Sequence, residues 1–254
     1  MPGPVQSIER AAAILRVLAS GRLGLVEVAN SLGLAKATTH GILRTLQGVG
    51  FVEQDRATGK YQLGAALLHL GSSYLDANEL RSRAINWADS LAARSGEAVH
   101  IGRILGTEVL IVHHVFRPDD TLQALEIGAL LPAHASALGK VLLAFDAGAA
   151  EATLAAPLIS FTRRTIVSAR AMTRELTQVR ERGWASETGE MVVDQASVAA
   201  PIRGHGGLVV GAIGVTGPAE RIGDDLHGSS RAALVALVRD VARAVSRDLG
   251  GSRG

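Results

Sequence analysis

Leu32-Gly33-Leu34-Ala35-Lys36-Ala37-Thr38-Thr39-His40-Gly41-Ile42-Leu43-Arg44-Thr45-Leu46-Gln47 reads as a tight turn followed by one amphipathic helix. Gly33 marks the turn. Ile42, Leu43 and Leu46 repeat at helical spacing and face inward from Lys36 to Gln47. Lys36, Thr38, Thr39, His40 and Arg44 are left for the outer face. Upstream, Ser7–Ala19 has Ile8, Ala11, Ala12, Leu15 and Leu18 at helical spacing, with Ser7 as its expected cap and Gly21 as its stop. Leu25–Leu32 supplies a second helix through Val28, Ala29 and Leu32. Downstream, Gly48 and Gly50 stop the third helix, and Phe51–Gln54 and Lys60–Leu63 flank a polar, glycine-containing turn. Three short helices and a hairpin make a winged helix-turn-helix. The first two helices hold the third so that its outer face enters a DNA major groove, which is wide enough for one helix. Short polar and cationic groups there reach phosphates and base edges. Arg56 and Lys60 fall on the wing, where it would follow the DNA backbone.

Charge supports this placement. Net charge is only +2, yet residues 1–63 hold seven Lys or Arg against four Asp or Glu, and the remainder holds nineteen against twenty. The small N-terminal part is therefore the basic one. The 254 residues allow two ordinary domains. No apolar run approaches the length of a membrane span, and no signal peptide is expected at the N-terminus. The absence of cysteine excludes disulfides, thiol catalysis and cysteine-ligated metals, and fits an expected cytoplasmic location.

The rest of the chain reads as α+β. The expected organisation is a winged helix-turn-helix over 1–64, a linker helix over 65–79 and a second domain over 80–254. Leu67, Leu70, Tyr74 and Leu75 give the linker an apolar stripe suited to pairing subunits. Beyond it, helices are expected at Leu80–Arg94, Ala135–Phe145, Ala171–Arg182 and Ser229–Leu249. The last carries Leu234, Val238, Val241, Val245 and Leu249 on one stripe. Val99–Leu105 pairs with Val109–Val115 across Gly106-Thr107-Glu108. Val198–Arg203 pairs with Leu208–Val215 across Gly204-His205-Gly206-Gly207. Locally paired strands with helices between them predict an antiparallel sheet.

Chemistry-bearing motifs argue against catalysis. There is no G-x-S-x-G elbow. Gly139-Lys140 is followed by Val141, and His134 stands where a phosphate-binding loop needs its first glycine. The glycines from Gly204 to Gly217 lack dinucleotide-loop spacing. Adjacent His113 and His114 on a strand point to opposite faces, so they do not share one metal ion easily. No metal and no cofactor is expected.

The chain resembles the IclR family of bacterial transcription regulators. The turn and third helix look like that family's recognition segment, and Gly50-Phe51-Val52 with Thr58-Gly59-Lys60-Tyr61-Gln62-Leu63-Gly64 look like its wing. His134-Ala135-Ser136-Ala137-Leu138-Gly139-Lys140, Arg182-Gly183-Trp184-Ala185, Ala199-Ala200-Pro201-Ile202 and Val215-Thr216-Gly217-Pro218 match further family segments, in order. Two departures stand out: Ala35-Lys36-Ala37 replaces a frequent Pro-Lys-Ser, and Gly41 replaces a frequent basic residue. Glycine inside a helix costs roughly 1 kcal/mol against alanine.

The resemblance implies a GAF-like C-terminal domain binding a small-molecule effector, often an organic or aromatic acid. It also implies a homodimer or dimer of dimers on a pseudo-palindromic operator in double-stranded DNA. Carried over by position, effector contacts fall on Gly128, Ser136, Ala137, Leu138, Glu187, Ser197, Gly214 and Thr216. Backbone N–H groups at the start of the helix near Ala135 would hold a carboxylate. Glycine at 214, where some members carry serine, implies a roomier pocket.

Overall fold

The computed structural model describes residues 5–76, 79–119, 123–222 and 229–250, without the side chains of residues 72, 73, 75, 76, 229 and 230. The chain divides into two compact units, Met1–Ala77 and Asn78–Gly254.

In the first unit α1 spans Gln6–Leu18, α2 Leu25–Ser31 and α3 Lys36–Gly48. Strands β1 (Val52–Gln54) and β2 (Tyr61–Leu63) form an antiparallel hairpin, and α4 covers Ala65–Asp76. Ser7 does not cap α1: Val5 holds the N-cap position and Ser7 lies within the helix. Ile14, Leu18, Val28, Leu43, Leu46, Val52 and Tyr61 form one core that fixes α3 against the other two helices. Gly33 takes φ +61°, a left-handed conformation that favours glycine, and so turns α2 into α3. Leu23 adds an isolated bridge to Tyr61, giving the hairpin a third partner. Asp55 shapes the wing turn, its Oδ1 accepting the N–H groups of Ala57 and Thr58 at 2.8 and 3.0 Å. Those backbone bonds hold its carboxyl below the ordinary carboxylate range.

The second unit begins with α5 (Glu79–Ser95), followed by β3 (Ala98–Leu105), β4 (Glu108–Val115) and β5 (Leu130–Pro132). A short 3-10 turn at Ala133–Ala135 leads to α6 (Ala137–Phe145), then α7 (Ala147–Leu154) and α8 (Ala169–Arg182). Strands β6 (Ala185–Thr188), β7 (Gln195–Arg203) and β8 (Val209–Pro218) precede α9 (Ala219–Ile222) and α10 (Ser229–Asp248). The six strands form one antiparallel sheet in the order β5-β4-β3-β8-β7-β6. Helices α5 and α10 pack on one face, and α6 on the other with α8 beside it. This is the α+β architecture expected from the sequence, with both local hairpins in place. What joins them is the β3–β8 pairing, in which His100 faces Gly214.

The helix expected from Ala135 starts two residues later. Ser136 is extended, and its Oγ accepts the Gly139 N–H while donating to the Pro132 carbonyl at 3.0 Å. A Cβ on Gly139 would lie 2.1 Å from the Ala133 carbonyl oxygen, so only glycine permits this close approach.

Candidate DNA-reading face and effector cavity

On α3 the exposed side chains of Lys36, His40 and Arg44 recur every fourth residue and form one stripe. Thr38 is half-buried beside them. Thr39, expected on the outer face, is instead wholly buried, and its Oγ1 donates to the Ala35 carbonyl at 3.1 Å. Helical geometry explains the correction. Residue 39 lies four positions before the buried Leu43, so it shares the core face. Gly41 is exposed on the outer side, where a Cβ would meet nothing within 4 Å. Arg56 and Lys60 are exposed on the wing, and Arg22 reaches Asp55 at 3.0 Å to tie its base to the loop after α1.

In the second unit, seven of the eight expected effector positions converge on one cavity of about 50 Å³. Ser136, Ala137 and Leu138 reach it from the start of α6, Glu187 from β6, Ser197 from β7, and Gly214 with Thr216 from β8. Gly128 does not join them. It is exposed, at φ +87°, with its N–H donated to the Ile111 carbonyl at 2.8 Å. Nor does Gly214 add room: a Cβ there would lie 2.6 Å from the Val198 carbonyl oxygen and 2.9 Å from the Ala199 Cβ. Its hydrogen belongs to close strand packing.

The Ser136 hydroxyl is consumed by its cap, whereas the N–H groups of Ala137 and Leu138, in the first turn of α6, have no intrahelical carbonyl to bond. Glu187 is buried; its Oε1 accepts the Ser197 hydroxyl at 2.9 Å and its Oε2 the Glu190 N–H at 3.0 Å. Burial raises its pKa above the ordinary range, against those two bonds.

His100 and Glu126 also line this cavity and were not foreseen. A wider cavity of about 520 Å³ adjoins it, lined by both together with His114, Arg117, Gln123 and Thr216. Strand register brings His100 opposite His114, and their rings stack with centroids 4.4 Å apart. His100 Nε2 lies 3.0 Å from Glu126 Oε2. In the sequence the only signal was the equal distance of the two histidines from the hairpin turn. His113, on the other side of the strand, is buried, and among the described residues neither ring nitrogen has a hydrogen-bond partner. Among the described residues no group of three histidine, aspartate or glutamate side chains is placed to hold a metal ion.

Burial lowers the His114 pKa from 6.5 to about 4, with nearby His100 adding to the effect. A folded state that takes up the proton only near pH 4 is disfavoured once the unfolded chain protonates below about 6.5. Stability contributed by His114 is therefore present above pH 6.5 and lost as pH falls toward 4, by up to about 3 kcal/mol. Urea unfolding at pH 7 and pH 4.5 checks this. The pH-dependent loss should be smaller in His114→Phe than in the unaltered chain, and an equal loss refutes it.

The sequence of the chain matches the family model for the IclR helix-turn-helix domain over residues 7–56. It matches the model for the bacterial transcriptional regulator IclR C-terminal domain over residues 72–247. The chain belongs to the IclR family. It is 56% identical over 251 residues to the glycerol operon regulatory protein of Streptomyces coelicolor, covering 98% of each chain. Identity to the protein of the same name from Streptomyces griseus is 54%, again over 98% of both. The crystal structure of an IclR regulator from Alicyclobacillus acidocaldarius superposes with a TM-score of 0.82 at 27% identity, covering 98% of this chain and 100% of that one. This IclR chain is thus a transcriptional regulator with a DNA-binding N-terminal domain and a C-terminal effector domain, and its role is not enzymatic. No described helix is long and apolar enough to cross a membrane.

Proposed function

We propose that this IclR regulator controls genes for the use of glycerol, and that its effector is a small hydroxylated molecule: glycerol or a phosphate ester of it. The observation that carries the proposal is the chemistry of the inner cavity. Glu187, Glu126, Gln195, Ser197 and Thr216 offer oxygen acceptors to hydroxyl groups, and among the described residues no lysine or arginine lines it, so the phosphate of an ester would lie in the adjoining wider cavity, which Arg117 lines. Carboxylates accept hydrogen bonds from hydroxyl groups, and a space of about 50 Å³ suits a few heavy atoms. The identity to two glycerol operon regulators along nearly the whole chain supports the same assignment.

An organic or aromatic acid is the second reading. The Ala137 and Leu138 amides favour it, because a helix N-terminus attracts a carboxylate. So does Arg117 in the wider cavity.

Lys36, Thr38, His40 and Arg44 would read a pseudo-palindromic operator, with Arg56 and Lys60 on its backbone. Two-fold DNA symmetry asks for paired protomers. Of the expected stripe on α4, Leu70 and Tyr74 are exposed, as is neighbouring Leu68, and they support self-association through the linker helix; Leu67 is half-buried, and Leu75 lies outside the described side chains. The effector acts by binding one arrangement of the DNA-reading domains better than the other.

The test begins with an operator selected from random duplex DNA, followed by fluorescence anisotropy with glycerol, glycerol phosphate or benzoate added. Glycerol or its phosphate should shift operator affinity by about fivefold or more, a typical coupling. Ser197→Val and Thr216→Val should abolish the shift. A response to benzoate alone supports the second reading, and no response to any of the three overturns the effector assignment.

A further inference from the structure

We propose that the effector domain carries a second small-molecule site, for a phosphate group, at the β6 edge of the sheet and separate from the inner cavity. A polar cavity of about 570 Å³ opens there, between β6, the start of α10 and the segment leading into α8. Glu187 is the wall between the two cavities. The inference stands apart from the identity of the effector proposed above.

Charge is the first argument. Lys140, Arg164, Arg182 and Arg231 line this cavity, against Glu175, Glu187 and Glu190. Each carboxylate is already engaged within the fold. Glu190 pairs with the Lys140 ammonium, which is only 1% exposed. Glu175 bonds Arg182 at 2.7 Å, and Glu187 bonds Ser197 and the Glu190 amide. Arg231 donates to the Ser186 hydroxyl at 2.9 Å. The Arg164 side chain makes no ion pair or hydrogen bond among the described residues, so its guanidinium is available to an anion.

Unmet hydrogen bonding is the second and independent argument. Thr188 and Glu190 are each only 8% exposed, yet among the described residues Thr188 Oγ1 and Glu190 Oε2 have no hydrogen-bond partner. Both residues line the same cavity. A buried polar atom left unpaired is costly, and it points to a missing partner. One hydroxyl donor and one bare carboxylate oxygen select a ligand that both accepts and donates. A hydrogen phosphate does so: its charged oxygens take the guanidinium and Thr188 hydroxyl, and its protonated oxygen donates to Glu190 Oε2. A fully ionised carboxylate has no proton to give. Arginine suits this because its planar fork matches phosphate oxygens.

Calorimetric titration of the full-length protein at constant ionic strength tests the site, with inorganic phosphate, a simple phosphate monoester, acetate and chloride as probes. Saturable binding of phosphate or the monoester, and not of acetate or chloride, is expected. Stronger binding of one of the first two identifies whether the group arrives free or esterified. Arg164→Ala and Thr188→Val should each weaken it about tenfold, the worth of one charge-assisted bond. Arg164 is exposed, so its variant keeps the fold, and a thermal melt of each variant verifies this. Absence of saturable binding overturns the site, as does equal response to acetate or chloride, or affinity unchanged in both variants. The readout is direct binding, so it is unaffected by which molecule moves the protein on its operator.

Discussion

Lys140→Ala is expected to destabilise the effector domain by about 3–5 kcal/mol, the usual result of breaking a buried ion pair by removing one partner. Its melting temperature should fall by roughly 10 °C. Among the described residues Lys140 is the largest fully buried side chain, on a helix where eight consecutive residues from Ala137 to Ala144 are buried. Its ammonium pairs with Glu190 and donates to the Ser186 carbonyl at 3.4 Å. Without it, the Glu190 carboxylate stays buried with no countercharge. The pH dependence distinguishes this cause from poorer packing. Burial already raises the Glu190 pKa and Lys140 opposes the rise, so its removal raises that pKa further. A carboxyl whose folded pKa lies above its unfolded value destabilises the fold at high pH, and that penalty fades as pH falls and the group is protonated. The deficit of the variant relative to the unaltered chain should therefore narrow between pH 7 and pH 5. Lys140→Met combined with Glu190→Gln should recover much of the loss. Thermal and urea unfolding of the three proteins decide it: a deficit independent of pH, with no recovery in the double variant, assigns the effect to cavity formation instead.

Replacing Lys36 and Arg44 together with alanine is expected to weaken operator binding about 100-fold, from roughly one to three kcal/mol for each side chain that touches DNA. Both side chains are exposed on α3, so the fold and the effector response should persist. The dependence of affinity on salt should also become shallower, by about one unit for each phosphate that the variant no longer neutralises. Thr39→Val provides the contrast. Thr39 is buried and bonded to Ala35, so its replacement should alter thermal stability more than operator affinity. Anisotropy titrations at two salt concentrations measure both effects. Unchanged affinity in the double variant would remove α3 from the interface.

Much of the fold was legible because its signals are local. Gly33 between two apolar periodicities, the glycine-containing wing turn and the stripe on α10 each depend on residues within a few positions of one another. The two strand pairs were legible for the same reason, each closing over a short turn. Short elements were missed. Three-residue β5 and four-residue β6 are edge strands whose identity depends on the neighbours they pair with, β4 and β7, rather than on their own alternation. The start of α6 was misplaced because Ser136 breaks the helix by capping it, in a run where every side chain is buried.

The sequence alone determined the three-helix reading head, its wing, the α+β class of the second domain and the resemblance to one family. These follow from periodicity, turn chemistry and motif order. Tertiary structure alone decided which side chains meet. Antiparallel register stacks His100 on His114, although the two are fourteen positions apart. The β3–β8 pairing closes the inner cavity, and Lys140 finds Glu190 across fifty residues. It also placed Thr39 in the core and left Gly128 outside the cavity. The reason is physical: a side chain's neighbours along the chain set its local conformation, whereas its burial and its charge partner are set by packing between elements distant in sequence.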